Sequence, residues 1–206
     1  MLKDYYTYMS ILNKVHREIT PLSPEDSFLV FDRVKEEFDF PIHFHPEYEL
    51  NFISNGKGVK RVVGDSVEEI DNIELVLVGP NLHHGWLNNN CKSREIREIT
   101  IQFHENIFNS ELLSKKIMKP IKNMFDRSIH GILFSKKVSS DIFERISKVS
   151  KLDSMDYFLE FISILHDLAQ EIKGFYLHIL QIEIALKTAT KSKRFTNMCR
   201  RTLTKK

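Results

Sequence analysis

Short runs of apolar and β-branched residues, each closed by a turn sequence, fill the first half of the chain and constrain its fold most strongly. The clearest runs are residues 28–31, 50–53, 59–63, 75–78 and 96–103. Between them lie the turn-forming sequences Asn55-Gly56-Lys57-Gly58, Gly64-Asp65-Ser66 and Asp71-Asn72. Many short strands at regular spacing predict a β-sandwich or β-barrel rather than strands that alternate with helices.

The last of these runs carries one irregularity. Ile99, Ile101 and Phe103 alternate with polar residues, as on a half-buried strand, but Ile96 falls on the opposite parity. We predict a β-bulge between Ile96 and Ile99, because one extra residue would restore the alternation.

From about residue 105 the apolar residues follow the period of a helix instead. We predict one helix that ends at Pro120, a second capped by Asp141, and a third capped by Asp153 or Ser154. The apolar stripe of the third helix comprises Phe158, Phe161, Ile162, Leu165, Leu168 and Ile172. Residues 175–189 are apolar on more than one face, so this helix must be covered by the barrel or by another subunit. We expect a homodimer formed through the C-terminal helices.

Composition excludes several classes of protein. The chain of 206 residues has 42% hydrophobic and 28% charged residues, which is ordinary for a globular domain with a helical appendage. Its net charge is +2, yet residues 191–206 hold seven Lys or Arg and no acidic residue. The rest of the chain is therefore slightly acidic, which argues against a nucleic-acid-binding barrel.

The cellular compartment is predicted from the cysteines, the N-terminus and the lengths of the apolar runs. Its two cysteines, Cys91 and Cys199, lie far apart in no metal-binding spacing and form no disulfide framework. The N-terminus lacks the apolar centre of a signal peptide, and no run approaches the roughly 20 apolar residues that span a bilayer. We expect a cytoplasmic protein without membrane contacts.

Histidines and a carboxylate carry the strongest chemical signal. His43 and His45 are two residues apart and project from the same face of a strand, and Glu49 shares their parity if the chain stays extended. Two imidazoles and a carboxylate form half of a shell for a divalent metal ion. His84 or its neighbour His83 could supply a fourth donor.

This spacing resembles the first cupin motif, in which His-x-His is followed after three residues by Glu and after six more by Gly. Here these residues are His43, His45, Glu49 and Gly56. The second cupin motif ends in His, three residues, and Asn. His84 with Asn88 fits this ending, whereas His83 would place Leu87 at the Asn position.

A longer segment resembles one cupin group, the sugar-binding and dimerisation domains of AraC-family transcriptional regulators. The segment is Gly79-Pro80-Asn81-Leu82-His83-His84-Gly85-Trp86. The chain departs from the general cupin pattern in having Glu36-Glu37-Phe38 rather than Gly ahead of the first motif. It also has Gly79-Pro80-Asn81 where that pattern has Pro-x-Gly. Both departures favour the regulator group over a generic cupin enzyme.

The resemblance implies a mostly β protein with some α, in which a cupin (jelly-roll) β-barrel precedes a C-terminal helical dimerisation segment. We expect an N-terminal arm at 1–24, the barrel at 25–104 and the helical region at 105–190. Residues 191–206 would be a basic tail or the linker to a DNA-binding domain that this sequence does not contain, so we expect no direct specific DNA binding.

The resemblance also implies a pocket for a small polar effector, such as a sugar. Its ligand-binding residues would be His43, His45, Glu49 and His84, together with two aromatic residues, Tyr48 and Trp86. The two aromatic rings could stack on a sugar face or be ordinary core residues. The cluster could hold Zn, Ni, Mn or Fe, or could bind a polar ligand directly, because imidazoles and a carboxylate suit both. Glu47 could sit on a turn that faces water, and His83 at the pocket mouth.

The expected function is that of a non-enzymatic, effector-sensing and dimerising domain of an AraC-like regulator. Two alternatives remain open. One is a small metal-dependent cupin enzyme, an isomerase or a dioxygenase, that uses the same four residues. The other is an interaction module that forms mixed dimers with intact regulators.

Overall fold

The computed structural model of the protein describes residues 15–152, 154–171 and 175–176. The strands are β1 (His16–Arg17), β2 (Phe28–Lys35), β3 (His43–Phe44), β4 (Tyr48–Ser54), β5 (Lys60–Val63), β6 (Ser66–Glu69), β7 (Ile73–Val78), β8 (His84–Leu87), β9 (Ile96–Phe103), β10 (Ile132–Leu133) and β11 (Phe175–Tyr176). The helices are α1 (Ser110–Ser114), α2 (Lys119–Ser128), α3 (Lys136–Val149) and α4 (Ser154–Gln170), with a 3₁₀ turn at Lys116–Met118.

The strands form two sheets, so the predicted β-rich fold with helices is confirmed at that level. One sheet has the order β1-β3-β8-β5-β6 and the other β11-β10-β7-β4-β9-β2. Neighbouring strands are antiparallel, except that β1 runs parallel to β3.

The central strands of the six-stranded sheet, β7, β4 and β9, are buried on both faces. On β4, Leu50 and Phe52 belong to the apolar core that the sheet shares with the helices. Ile53 has the opposite parity and belongs to a second core, which includes Val63 and Trp86 of the five-stranded sheet. The structure thus has three layers, with the six-stranded sheet in the middle.

The predicted β-bulge is wrong. From Ile96 to Phe103, β9 pairs with β2 residue for residue and without interruption. Ile96 lies in the core between the sheets, whereas Ile99 and Ile101 lie in the core under the helices. A strand buried on both faces carries apolar residues on both parities, so no extra residue is needed.

Two predicted helix boundaries are also wrong. Pro120 lies in the first turn of α2 rather than at the end of a helix, a position that suits proline because it lacks a backbone N–H. The N-cap of α3 is Ser135, whose side chain accepts from the Val138 N–H, whereas Asp141 lies inside the helix and pairs with Lys137. The helix α4 begins at Ser154, one of the two predicted caps, and the other lies outside the described residues.

The apolar stripe of α4 packs within the chain. Phe161, Leu165 and Leu168 are buried, and Phe28 of β2 contacts Phe161 with the ring centroids 4.4 Å apart. The helix predicted at 175–189 lies outside the described residues except for Phe175–Tyr176, which pair with β10 as a strand. Ile172 and the basic tail lie outside them as well. In the part of the chain that the structure describes, no helix has the length and apolar character required to cross a membrane.

Candidate functional site

Four side chains from two distant segments meet between the sheets. In the pairing of β3 with β8, His43 lies directly opposite His84. His45 follows β3, and Glu49 lies on β4 with its side chain toward the other sheet. All four residues are buried, and each offers a donor atom within 4.8 Å of the others. The expected convergence is observed, with His84 rather than His83 as its fourth member.

Backbone carbonyls orient two of the imidazoles. Nδ1 of His43 lies 2.9 Å from the Pro41 carbonyl oxygen, and Nδ1 of His84 lies 2.8 Å from that of Leu82. A carbonyl oxygen can only accept, so each Nδ1 donates a hydrogen bond to the carbonyl and each Nε2 is turned toward the cluster. Nε2 of His84 is buried and has no hydrogen-bond partner among the described residues. Both rings therefore present Nε2 to the cluster, as metal-ligating histidines do.

Carboxylates flank the third imidazole on both sides. Nε2 of His45 lies 3.2 Å from Oε2 of Glu49, and its Nδ1 lies 3.4 Å from Oε2 of Glu47. The sequence suggested that Glu47 faces water, but in the structure its side chain is buried beside the cluster. The negative charge of Glu47 beside the ring raises the basicity of His45.

The electrostatics of the cluster favour an ionised carboxylate among imidazoles. Burial of Glu49 opposes its ionisation, but His84 and His45 outweigh this effect, so the pKa of Glu49 lies well below its usual value. Burial, reinforced by the charge of His84, lowers the pKa of His43 to about 4. Burial of His45 acts in the same direction, but the hydrogen bond and charge of Glu49 raise its pKa above the usual value.

A cavity of about 150 Å³ adjoins the cluster, and its lining includes His43 and Glu49. The sequence reasoning missed most of the other polar residues that line it: Glu18, Arg33, Lys35, Asn51, Glu98, Thr100 and Gln102. The polar parity of residues 98, 100 and 102 was visible in the sequence, but a polar row on a strand ordinarily indicates a solvent-facing side. Here the row faces the space between the sheets.

The polar residues of the cavity are tied into one network. Nδ2 of Asn51 lies within 3.3 Å of Oε1 of Glu49 and 3.1 Å of Oγ1 of Thr100. Nζ of Lys35 lies 2.7 Å from Oε2 of Glu98. The network offers polar groups to a ligand, and the aromatic rings of Phe31, Phe38 and Phe40 line the same cavity.

The two predicted aromatic ligand residues are separated by the sheet. Trp86 is buried in the cavity lining, and its indole N–H donates to Glu74 over 3.3 Å. Tyr48 precedes Glu49 and points to the other face of β4, where its ring lies 4.7 Å from that of Phe125. The structure therefore does not bring Tyr48 to the site, because neighbouring residues on a strand face opposite sides.

The remaining residues of the second motif support the strand that carries the cluster. The ring of His83 contacts the edge of the Phe44 ring, 5.3 Å away, and has no donor atom in the cluster. The Oδ1 atom of Asn88 accepts from the Phe38 N–H over 2.7 Å. Asn88 thus anchors the end of β8 to the loop that precedes the first motif.

The donor set fits a first-row divalent metal ion. Three imidazole nitrogens and one carboxylate oxygen suit Zn, Ni, Mn and Fe. The buried Nε2 of His84 accepts or donates no hydrogen bond among the described residues, and such an ion would engage it. The same atoms could hold a polar ligand without a metal.

Comparison with known proteins gives only distant likenesses. No family model and no curated protein matches this chain. Among solved structures it is similar to ToxT from Vibrio cholerae strain SCE256 bound to an unsaturated fatty acid. The identity is 16% and the TM-score 0.43, and the match covers 76% of this chain and 59% of the ToxT chain. A second ToxT structure from Vibrio cholerae, the P21 form, has 14% identity and a TM-score of 0.41 over 74% and 60% of the two chains. The chain spans about three fifths of the length of these ToxT chains. A likeness of this degree is too weak to assign a function.

Proposed function

We propose that this chain is the effector-binding domain of an AraC-like transcriptional regulator, with a cupin barrel that binds a small polar ligand through a divalent metal ion. The observation that carries this proposal is the buried cluster of His43, His45, Glu49 and His84 beside a cavity. Their spacing in the sequence matches both cupin motifs, and the Gly-Pro-Asn turn that precedes the second is typical of the regulator group.

The lining of the cavity supports a polar ligand. Oδ1 of Asn51 and Oε1 of Gln102 line a space of about 150 Å³ and are buried without a hydrogen-bond partner among the described residues. A ligand hydroxyl could donate to them, whereas an aliphatic chain could not. A sugar fragment or a small hydroxy acid offers matching groups. Trp86 contributes a flat apolar surface on which such a ligand could stack.

Each residue of the cluster would have a distinct part in holding a metal ion. His43 and His84 would donate through Nε2 atoms that backbone carbonyls have already oriented, which lowers the entropy lost on binding. Glu49 would neutralise part of the charge of the ion. When bound, the metal ion would polarise an oxygen atom of the ligand.

Two neighbouring histidines provide the test of metal binding. The His84→Ala variant removes a donor of the cluster, and the His83→Ala variant removes an imidazole that lies outside it. Protein purified without chelator, then dialysed, is analysed for metal. About one divalent ion per chain is expected in the wild type and in His83→Ala, with loss in His84→Ala. Equal metal content in all three proteins, or none in the wild type, would contradict the proposal.

The metal-dependent cupin enzyme is the second candidate, because four protein donors leave positions open for a substrate. Sugars and hydroxy acids that raise the melting temperature of the metal-loaded protein would be incubated with it and followed by NMR. A ligand that stays chemically unchanged supports the sensor. Turnover that is lost in His84→Ala supports the enzyme.

A dimer formed through C-terminal helices belongs to the proposal as well. Because the stripe of α4 packs inside the chain, the contact would use other surfaces or segments. A ligand signal would require the two states of that dimer to bind the ligand unequally. Sedimentation equilibrium at micromolar concentration tests the dimer, and a monomer throughout this range would exclude it.

A further inference from the structure

A carboxylate from the segment ahead of the barrel lies against the cluster. The segment pairs with β3 in parallel: the His16 N–H donates to the Ile42 carbonyl over 2.9 Å, and the Glu18 N–H donates to that of Phe44 over 3.0 Å. These bonds fix the backbone of Glu18 beside the strand that carries His43. Its side chain lines the cavity.

The carboxylate of Glu18 shares its surroundings with the cluster. Its Oε2 lies 3.4 Å from Nε2 of His43 and 3.8 Å from Nε2 of His45. The side-chain amide of Gln102 donates to Oε2 of Glu18 over 3.3 Å and to Oε2 of Glu49 over 3.2 Å. One amide thus holds an oxygen of each carboxylate on the same side of the imidazoles.

Carboxylates are concentrated at this point. In the described parts of the chain, the ion pairs of Glu18, Glu47 and Glu49 are formed with imidazoles, not with Lys or Arg. The carboxylates of Glu18 and Glu49, each held by the Gln102 amide, repel one another in a site of low dielectric constant. A divalent cation between them would remove that repulsion.

Glu18 differs from Glu49 in its access to solvent. Its side chain is 20% exposed, whereas that of Glu49 is 3% exposed. It is attached through a two-residue edge strand rather than through the central sheet. Glu18 can therefore leave the cluster with less disturbance of the fold than Glu49.

We propose that Glu18 is a fifth, displaceable donor to the metal ion, and that the ligand of the site is a small carboxylate that takes its place. This inference rests on the proposed metal function. A ligand carboxylate would occupy the position of the Glu18 carboxylate, accept from the amide of Gln102, and leave the four donors of the cluster in place.

Cobalt(II) is the probe for the fifth donor, because its visible absorption strengthens as its coordination number falls. The Glu18→Gln variant keeps the shape of the side chain and removes its charge. The Glu25→Gln variant is the matched control, since Glu25 is exposed on the same segment and does not line the cavity. Affinity is measured by competition with a chromophoric chelator, and the fold of each variant by circular dichroism.

The expected result is a loss of cobalt affinity of about tenfold in Glu18→Gln, with stronger visible absorption, and no change in Glu25→Gln. Equal affinity and equal spectra in Glu18→Gln and wild type would overturn the inference while leaving the proposed function intact. Absence of cobalt binding in the wild type would overturn both.

Chemical rescue tests the class of ligand. In Glu18→Ala, acetate is expected to restore the wild-type cobalt spectrum at millimolar concentration, whereas glycerol is not. The wild type should need more acetate for any spectral change, because its own carboxylate competes. Rescue by glycerol and not by acetate would overturn the assignment to carboxylates.

Discussion

His43 and His84 lie directly opposite each other on antiparallel strands, with their ring centroids 4.3 Å apart. The two strands approach closely enough that a Cβ atom at Gly85 would lie 3.2 Å from Cα of Ile42. The two histidine motifs, far apart in sequence, are therefore brought together by backbone pairing, and their distance does not depend on a loop.

The burial of His43 predicts a pH dependence of stability in the metal-free protein. The pKa of His43 is about 4 in the folded chain against 6.5 ordinarily, so below pH 6.5 the unfolded chain binds more protons and stability falls as the pH falls. Between pH 6.5 and 4 the wild type should lose about 3 kcal/mol of unfolding free energy relative to His43→Gln. Urea denaturation with EDTA at pH 6.5 and pH 4 measures this difference. Parallel pH profiles of the two proteins would contradict the prediction.

The single tryptophan of the chain should report on the cluster. Trp86 is buried, and its ring centroid lies 6.1 Å from that of His84. Addition of Ni²⁺ or Co²⁺, which quench nearby indoles, is expected to lower its fluorescence in a saturable way. The quenching should disappear in His84→Ala and persist in Tyr48→Phe, because Tyr48 faces the other side of the sheet. Saturable quenching that survives in His84→Ala would place the metal elsewhere.

Sequence spacing was sufficient to predict the cluster and insufficient to predict the cavity around it. The parity of His43 and His45 together with the motif spacing of Glu49 sufficed, because a strand turns alternate residues to one side. The polar row that includes Thr100 and Gln102 was not recognised as part of the cavity lining. A polar row on a strand ordinarily faces solvent, whereas here it faces the other sheet. Only the packing of the two sheets against each other shows which side of a strand lines the cavity.

Glu18 was missed for a different reason. It enters the site through the pairing of a two-residue strand, His16–Arg17, with β3, and such a short segment has no periodicity to read. Long-range contacts of this kind depend on the whole fold rather than on local sequence.

The start of α3 provides a direct comparison between sequence pattern and structure. The strand before it, β10, pairs with β7, and the Phe134 N–H donates to the Leu75 carbonyl. Because these contacts hold residues up to Phe134 in the sheet, the helix begins after Phe134. Ser135→Ala is expected to cost about 1 kcal/mol of unfolding free energy, because the Val138 N–H loses its acceptor. Asp141→Ala should cost only a few tenths, since its exposed pair with Lys137 is screened by water. Urea denaturation of both variants measures the two costs, and a larger loss at Asp141 would contradict the cap assignment.

The glycine that opens the second motif is expected to matter for stability. The Gly79 N–H donates to the Ser128 carbonyl over 2.9 Å, and a Cβ atom at Gly79 would lie 2.6 Å from the carbonyl carbon and oxygen of Ser128. These are backbone atoms at the end of α2, so a side chain there must displace either the helix or the strand end. Gly79→Ala should therefore lose about 2 kcal/mol or more.

The matched control for this prediction is Gly85→Ala, whose Cβ atom would meet its nearest neighbour, Cα of Ile42, at 3.2 Å rather than 2.6 Å. Thermal denaturation is expected to show a drop in melting temperature of several degrees for Gly79→Ala and a smaller drop for Gly85→Ala. A melting temperature of Gly79→Ala equal to that of the wild type would mean that the helix end yields freely. That result would contradict the idea that the close contact between Gly79 and Ser128 holds α2 against the turn before His84.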